Sequence, residues 1–296
     1  MPEIRVGRFS IVRIEEMLTP GFAPEFLFPD FDARIFVDHP LLASPGFRDP
    51  ASGKLMSSMH AWLIRGAGVT VLVDTGCGNA KKRSAPAFQR FVDLDTPFLD
   101  RLAAAGVTPD DVTHVVNTHL HIDHVGWNTR LEAGRWVPTF MKARYIWGAR
   151  ETTHWLDGGA GLAAQPEAAE VLDDSVRPIR EVGLVDLMAD GQSFAPGLTM
   201  RAAPGHTAGL MQLWLESGGE CAVFCTDCLH QPMQIYRPEW NSRFCELPDV
   251  ARATRATLLA TATDREAIVL PSHFGAPHGG RILRRAEGYA FAPLNS

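Results

Sequence analysis

The sequence of 296 residues has no long apolar run. Stretches such as Val69–Val73 and residues 268–270 fall far short of the roughly 18 residues a membrane-crossing helix needs, so no span is expected. Residues 1–5, Met-Pro-Glu-Ile-Arg, lack the basic patch and apolar core of a secretory signal, which gives the expectation of a cytoplasmic protein. Basic charge is also scarce. Lys and Arg number 28 against 34 Asp and Glu, a net charge of −6, and that balance gives no electrostatic reason to expect nucleic acid. The short basic runs, Lys81-Lys82-Arg83 and the group Arg281, Arg284 and Arg285, read as solvated surface. Cysteine is sparse and odd in number, at five, so a disulfide framework is excluded and reduced thiols are expected. Cys225 and Cys228 form a C-x-x-C, but the run 221–225 is apolar and strand-like, where cysteine packs as a small hydrophobe. There is no G-x-S-x-G, and neither Cys77 nor Cys228 has a paired histidine motif, which removes the usual serine and cysteine nucleophiles. No repeat and no Ser/Gly linker divides the chain. A single domain over 1–296 is expected, with 15–58 an N-terminal extension.

That extension has many aromatics without periodicity: Phe22, Phe26, Phe28, Phe31, Phe36 and Phe47. They read as a cap on a sheet edge or a homodimer contact, or as the wall of a pocket mouth. Elsewhere the punctuation is regular. Strands are expected at 4–14, 60–64, 69–73, 112–117, 198–202, 211–215, 221–225 and 268–270, with a hairpin at 65–68. Helices are expected at 96–105, with Thr96 as N-cap and Pro97 at the first helical position, and from Pro248 to about 263. Paired strands followed by interspersed helices suit an α/β fold of two mixed sheets with helices outside them.

The chemistry is concentrated in residues 117–128, which contain His119, His121, Asp123 and His124 directly after an apolar strand. Irregular backbone at a strand end can turn several side chains to one point. Imidazole and carboxylate together suit zinc, manganese, iron or cobalt. His119 and His121 alternate onto one side, whereas Asp123 and His124 fall around the turn and can address a second centre. The other histidines, His39, His60, His114, His154 and His278, read as packed, surface or loop residues.

This H-x-H-x-D-H stretch resembles the metallo-β-lactamase superfamily, and further motifs follow the superfamily's order: Asp74-Thr75-Gly76, Gly205-His206-Thr207-Ala208-Gly209, Asp227 and His273, each at the end of an expected strand. The resemblance covers about 59–280 and implies an αββα sandwich with a dinuclear metal site between its sheets. It implies His119, His121 and His206 as ligands of one divalent ion, zinc first among the candidates. Asp123, His124 and His273 are implied for the other, with Asp227 bridging and Asp74 orienting the ligands. In the acyl-homoserine lactonases of this superfamily a tyrosine stands three residues after the bridging aspartate. Here that position is His230, similar to the branch that includes methyl parathion hydrolase, and it reads equally as a proton donor to the substrate or as a loop-shaping residue.

The resemblance implies hydrolysis, with a metal-bridging hydroxide as nucleophile and the leaving oxygen protonated by Asp123 or His230. A lactone or ester of a small apolar molecule is the expected substrate. Phosphotriester hydrolase and β-lactamase are the alternatives, and an iron-dependent oxidoreductase of the same fold ranks behind them. A glyoxalase-type thioesterase is disfavoured because Trp127 follows Val125-Gly126 where a second glycine is usual.

Overall fold

The computed structural model describes residues 3–156 and 158–294. Sixteen strands form two seven-stranded sheets and one small hairpin. The first sheet takes β1 (Ile4–Val6), β2 (Phe9–Pro20), β3 (Met56–Gly66), β4 (Val69–Val73) and β5 (His114–Asn117). After the hairpin of β6 (Thr129–Glu132) and β7 (Arg135–Pro138), it is completed by β8 (Arg144–Gly148) and β9 (Val185–Met188). The second sheet runs in chain order through β10 (Ser193–Ala195), β11 (Leu198–Ala202), β12 (Met211–Ser217) and β13 (Glu220–Phe224). It ends with β14 (Ile268–Val269), β15 (Gly280–Arg284) and β16 (Tyr289–Pro293). Both sheets are mixed: β4, β5, β8 and β9 pair in parallel, as do β13 and β14, and the other pairs are antiparallel.

The layers follow from side-chain alternation along strands buried on both faces. Val71, Val73, Val116 and Ile146 of the first sheet meet Leu198, Met200, Leu213 and Phe224 of the second to form the central core. The intervening Leu72, Val115 and Tyr145 face outward and are covered by Phe98, Leu102, Leu172 and Ile179 from helices. On the far side Val223 and Val269 pack against Leu258, Leu259 and Ala262 of the helix Pro248–Asp264. The result is the αββα sandwich. Among the described residues, no helix is long and apolar enough to cross a membrane.

Several sequence expectations need correction. The strand expected at 4–14 is a hairpin, broken where Gly7 takes a positive φ of 53°. The helix expected at 96–105 runs over Phe98–Ala104 without a side-chain cap, because the Thr96 hydroxyl turns instead to Asn79 and Glu16. β2 continues to Pro20 and β3 begins at Met56, so the irregular excursion is 21–55. In it, Leu27, Phe28, Ile35, Leu42 and Leu55 pack with Met233 and Trp240, and Phe22, Phe31 and Phe36 flank that cluster.

The basic run at 81–83 is a larger correction. Lys82 is exposed, but Lys81 and Arg83 are buried at 0% and 5% exposure. The Lys81 ammonium lies 2.9 Å from Thr129 Oγ1, 3.3 Å from Asp174 Oδ1 and 3.9 Å from the centre of the Trp136 ring. Arg83 holds the same carboxylate with two nitrogens, at 2.5 and 3.2 Å. Burial brings the Lys81 ammonium down to about 8 against the opposing pull of Asp174. The five cysteines are all free and buried, and Cys228 Sγ accepts a hydrogen bond from Gln212 rather than pairing with Cys225.

Candidate metal centre

The ends of five strands converge on one point between the sheets. Asp74 follows β4, the run 118–124 follows β5, His206 follows β11, Asp227 follows β13 and His273 lies beyond β14. Tight stitching holds the run 118–124. The Asn117 side chain donates to His124 O at 2.9 Å and accepts from Trp147 and Asn128. Gly126 and Trp127 hydrogen-bond the backbone of Gly76 and Thr75. A Cβ at Gly126 would lie 1.9 Å from the Cys77 carbonyl carbon, so only glycine allows this approach. Asp74 has a left-handed φ of 57°, which points its carboxylate back at the run. One of its oxygens accepts from Thr118 N–H at 2.9 Å and the other from His124 Nδ1 at 2.8 Å.

Three-ligand groups arise from His119, His121 and His206, from Asp123, His124 and His273, and from His119, His124 and Asp227. Within each, the potential ligand atoms lie within 4.8 Å of one another. His206 Nε2 is 2.9 Å from His121 Nδ1, and His124 Nε2 and His273 Nε2 each stand 3.7 Å from a carboxylate oxygen of Asp123. Asp227 lies between the groups. Its Oδ2 is 3.2 Å from His206 and 3.9 Å from His119, whereas its Oδ1 is 3.1 Å from His273 and 3.3 Å from His124.

The donor set fits divalent ions by a specific test. His119 Nε2, His124 Nε2 and Asp227 Oδ1 are buried and have no hydrogen-bond partner, a situation native proteins avoid unless something else satisfies the atom. The opposite nitrogens of three of the rings, by contrast, are anchored: His124 Nδ1 on Asp74, His273 Nδ1 on Ser58 O at 3.0 Å and His119 Nδ1 beside Thr118 Oγ1 at 3.2 Å. Such outer hydrogen bonds fix ring orientation in metal sites. Burial holds His119 and His206 well below the usual imidazole range and His121 near 4, keeping them in the neutral form that metals bind. Burial also works to lower His124 and His273, but Asp227 outweighs it, joined by Asp74 and Asp123 at His124 and by Asp123 at His273, so both are raised. Burial would raise Asp227, yet the surrounding His273, His124, His206 and His230 hold it well below the carboxylate range.

His230 is buried beside this centre, with Nε2 3.3 Å from Asp227 Oδ2 and 3.3 Å from Ser242 Oγ. It forms a fourth ligand-type group with His206 and Asp227. His39, His60, His114, His154 and His278 belong to none of the four groups, and each has a local partner such as Glu246 for His154 or Phe274 O for His278. A cavity of about 420 Å³ opens over the centre. His121, Asp123, His206, Asp227, His230 and His273 form its polar part, and Phe22, Leu27, Met59, Phe88, Phe91, Ile122, Trp155 and Phe244 line its apolar walls.

Sequence reasoning missed two carboxylates that brace the centre. Glu151 accepts hydrogen bonds from Leu120 N–H at 3.0 Å, Trp155 Nε1 at 2.8 Å and Thr207 Oγ1 at 2.7 Å, tying together two ligand-bearing loops. Burial pushes it up to about 7 against those donors. Glu16 accepts from Cys77 N–H, Gly78 N–H and Trp127 Nε1. Trp127 is thus a bracing residue, stacked on Phe98 at 5.4 Å between ring centres. No motif marks either glutamate, since all their partners but Trp155 lie tens of residues away.

Known proteins share this fold and part of this sequence. Among curated proteins, an N-acyl homoserine lactonase, AiiB of Agrobacterium fabrum, is 28% identical over 165 residues, 52% of this chain and 56% of that protein. AiiB of Rhizobium rhizogenes is 26% identical over the same extent. The chain therefore spans about half the length of these curated relatives. Among solved structures, the hydrolase AbOPH of the beta lactamase superfamily superposes with a TM-score of 0.81 at 21% identity, covering 99% of this chain and 97% of that one. AidC, a dizinc quorum-quenching lactonase solved with a homoserine product, gives 0.75 at 21% identity over 100% and 97%. The sequence model of the metallo-beta-lactamase superfamily matches residues 58–273, well over half of the chain, and the chain belongs to that superfamily.

Proposed function

We propose that the protein is a hydrolase with two divalent transition metals, zinc foremost, that cleaves a lactone or ester of a small, largely apolar molecule. The carrying observation is the placement of Asp227, which directs one oxygen to each histidine group. His119, His121 and His206 would hold one ion, Asp123, His124 and His273 the other, and Asp227 would bridge them. Bound there, a pair of cations supplies Lewis acidity and activates water at neutral pH.

The chain's own residues do the rest. Leu120, Ile122, Trp155 and the aromatic wall exclude water and seat the apolar body of the substrate, leaving its carbonyl at the polar floor. Asp74, Ser58 and Glu151 fix the rings and loops, so little reorganises when charge develops on the carbonyl oxygen. His230 Nε2 faces the floor, and burial lowers its basicity, so a proton it carries is readily given to the departing alkoxide. Asp123, half-buried on the cavity floor, is the alternative proton carrier. Water adds across the acyl–oxygen bond to give an acid and an alcohol.

The test is elemental analysis of purified protein combined with initial rates on lactones, aryl esters, phosphotriesters and β-lactams. About two metals per chain and fastest turnover on lactones or esters are expected. One metal per chain after zinc or cobalt supplementation would overturn the dinuclear reading, and faster phosphotriester or β-lactam cleavage would overturn the substrate class.

A further inference from the structure

The wall of the cavity has a charged feature that the hydrolytic reading leaves unused. Phe22 and Phe26 stack with ring centres 5.1 Å apart and planes at 22°. Arg90 lies over Phe22 at 5.3 Å, and Arg243 lies over Phe26 at 3.9 Å. The order Arg90–Phe22–Phe26–Arg243 is a ladder with a cation at each end. Both arginines line the cavity. Neither has a carboxylate within 4 Å or a side-chain hydrogen bond among the described residues, and neither pairs with the histidine centre. Besides Asp123 and Asp227 of the histidine centre, two acids line this cavity. Glu246 is engaged by His154 at 2.8 Å, by Gln165 and by the Ala208 N–H, whereas Glu167 is exposed and has no partner among the described residues. Two free guanidiniums therefore face one free carboxylate, in a chain whose net charge is −6.

A guanidinium whose charge rests over a ring leaves its planar N–H edges free for the forked acceptors of a carboxylate. Stacking also removes much of the rotamer freedom that weakens a mobile surface arginine. We propose that Arg90 and Arg243 form a subsite for a carboxylate borne by the substrate, so that the molecule cleaved at the histidine centre is an ester or lactone with an apolar body and a second, acidic terminus. The inference rests on the hydrolase reading above.

Two measurements separate it from that reading. The first compares kcat/KM for 4-nitrophenyl half-esters of linear dicarboxylic acids, from succinic to sebacic, with the matching neutral amides. At one favoured length the acid is turned over faster than its amide, and the combined substitution R90Q/R243Q lowers that ratio roughly five- to tenfold. Arg285→Gln, on an exposed turn, leaves the ratio where it was. The second measurement titrates the free dicarboxylates into metal-free protein by calorimetry, where no metal ion can bind them. Saturable binding that R90Q/R243Q weakens by a similar factor is expected. An acid-to-amide ratio of one at every length, or a preference that survives the double substitution, overturns the subsite. Failure to cleave acids and amides alike overturns the hydrolase reading, while the calorimetry still decides the subsite.

Discussion

His230 and Glu151 both touch the metal centre's surroundings, but replacing them has opposite signatures. His230→Gln removes a proton carrier and no anchoring bond to the ring of an expected ligand. The variant should retain its metals while turnover falls by roughly 10²–10⁴-fold. Steady-state rates on the metal-replete variant within a few-fold of the parent would reduce His230 to a loop-shaping residue. Glu151 acts on stability. Its carboxyl titrates near 7 in the fold against an ordinary 4.5, so the stability it contributes is complete below about pH 4.5 and is lost as pH rises through about 7. Gln cannot ionise, yet it still accepts from Leu120 and Trp155. Between about pH 5 and pH 8, metal-free E151Q should therefore lose roughly 3 kcal/mol less stability than the parent, measured by urea unfolding. Parallel pH profiles would show that Glu151 is not the titrating group.

At the scale of elements, the clasp at Asp174 joins the segment after β4 to the helix Ala169–Ser175. These two pieces also supply Phe88 and Phe91 on one side of the cavity and Val171 on the other. Asp174→Asn leaves Lys81 and Arg83 buried without an anion, a loss of about 3–5 kcal/mol by the usual cost of breaking a buried pair. Chemical denaturation of D174N reads this directly, and a change under about 1 kcal/mol would mean that water reaches the cations. The clasp was illegible in the sequence because Asp174 is 93 residues from Lys81, and a local basic run looks the same whether solvated or buried. The strand ends were legible for the converse reason. Val-rich runs followed by Asp74, by His119 to His124 or by Asp227 keep the apolar pattern and the polar break side by side. The helices over 149–181 went unread, as short segments with few caps give little periodicity.

For the molecule as a whole, two sheets and four layers could be read from paired strands and interspersed helices, and their order in space came from the resemblance rather than from periodicity. Of the seven ligand-type side chains, His119, His121, Asp123 and His124 were readable from their spacing, and His206, Asp227 and His273 only through the resemblance. The cavity walls were not, because an aromatic in an aperiodic segment has no marker for what it faces. Burying this many unpartnered ligand atoms at a junction of both sheets predicts that bound metal stabilises the fold. Chelation of the holoprotein should lower its melting temperature by roughly 5 °C or more, the effect of ligands bound well above their dissociation constants. Calorimetric scans that superpose with and without chelator would show that the centre contributes nothing to folding.

Floor and walls of the cavity come largely from different parts of the chain. Residues 21–55, 86–91, 165–171 and 243–246 build most of the walls, beside Met59, Ile122 and Trp155, and contain none of the seven ligand-type residues, while the floor is anchored through Asp74, Ser58, Thr118 and Glu151. A lineage can therefore exchange one wall segment at a time without passing through an inert ancestor, because each intermediate keeps its reactive centre. Randomised libraries confined to those four segments should be rich in active members with altered preference, and libraries of equal size at the strand ends should be almost empty of them.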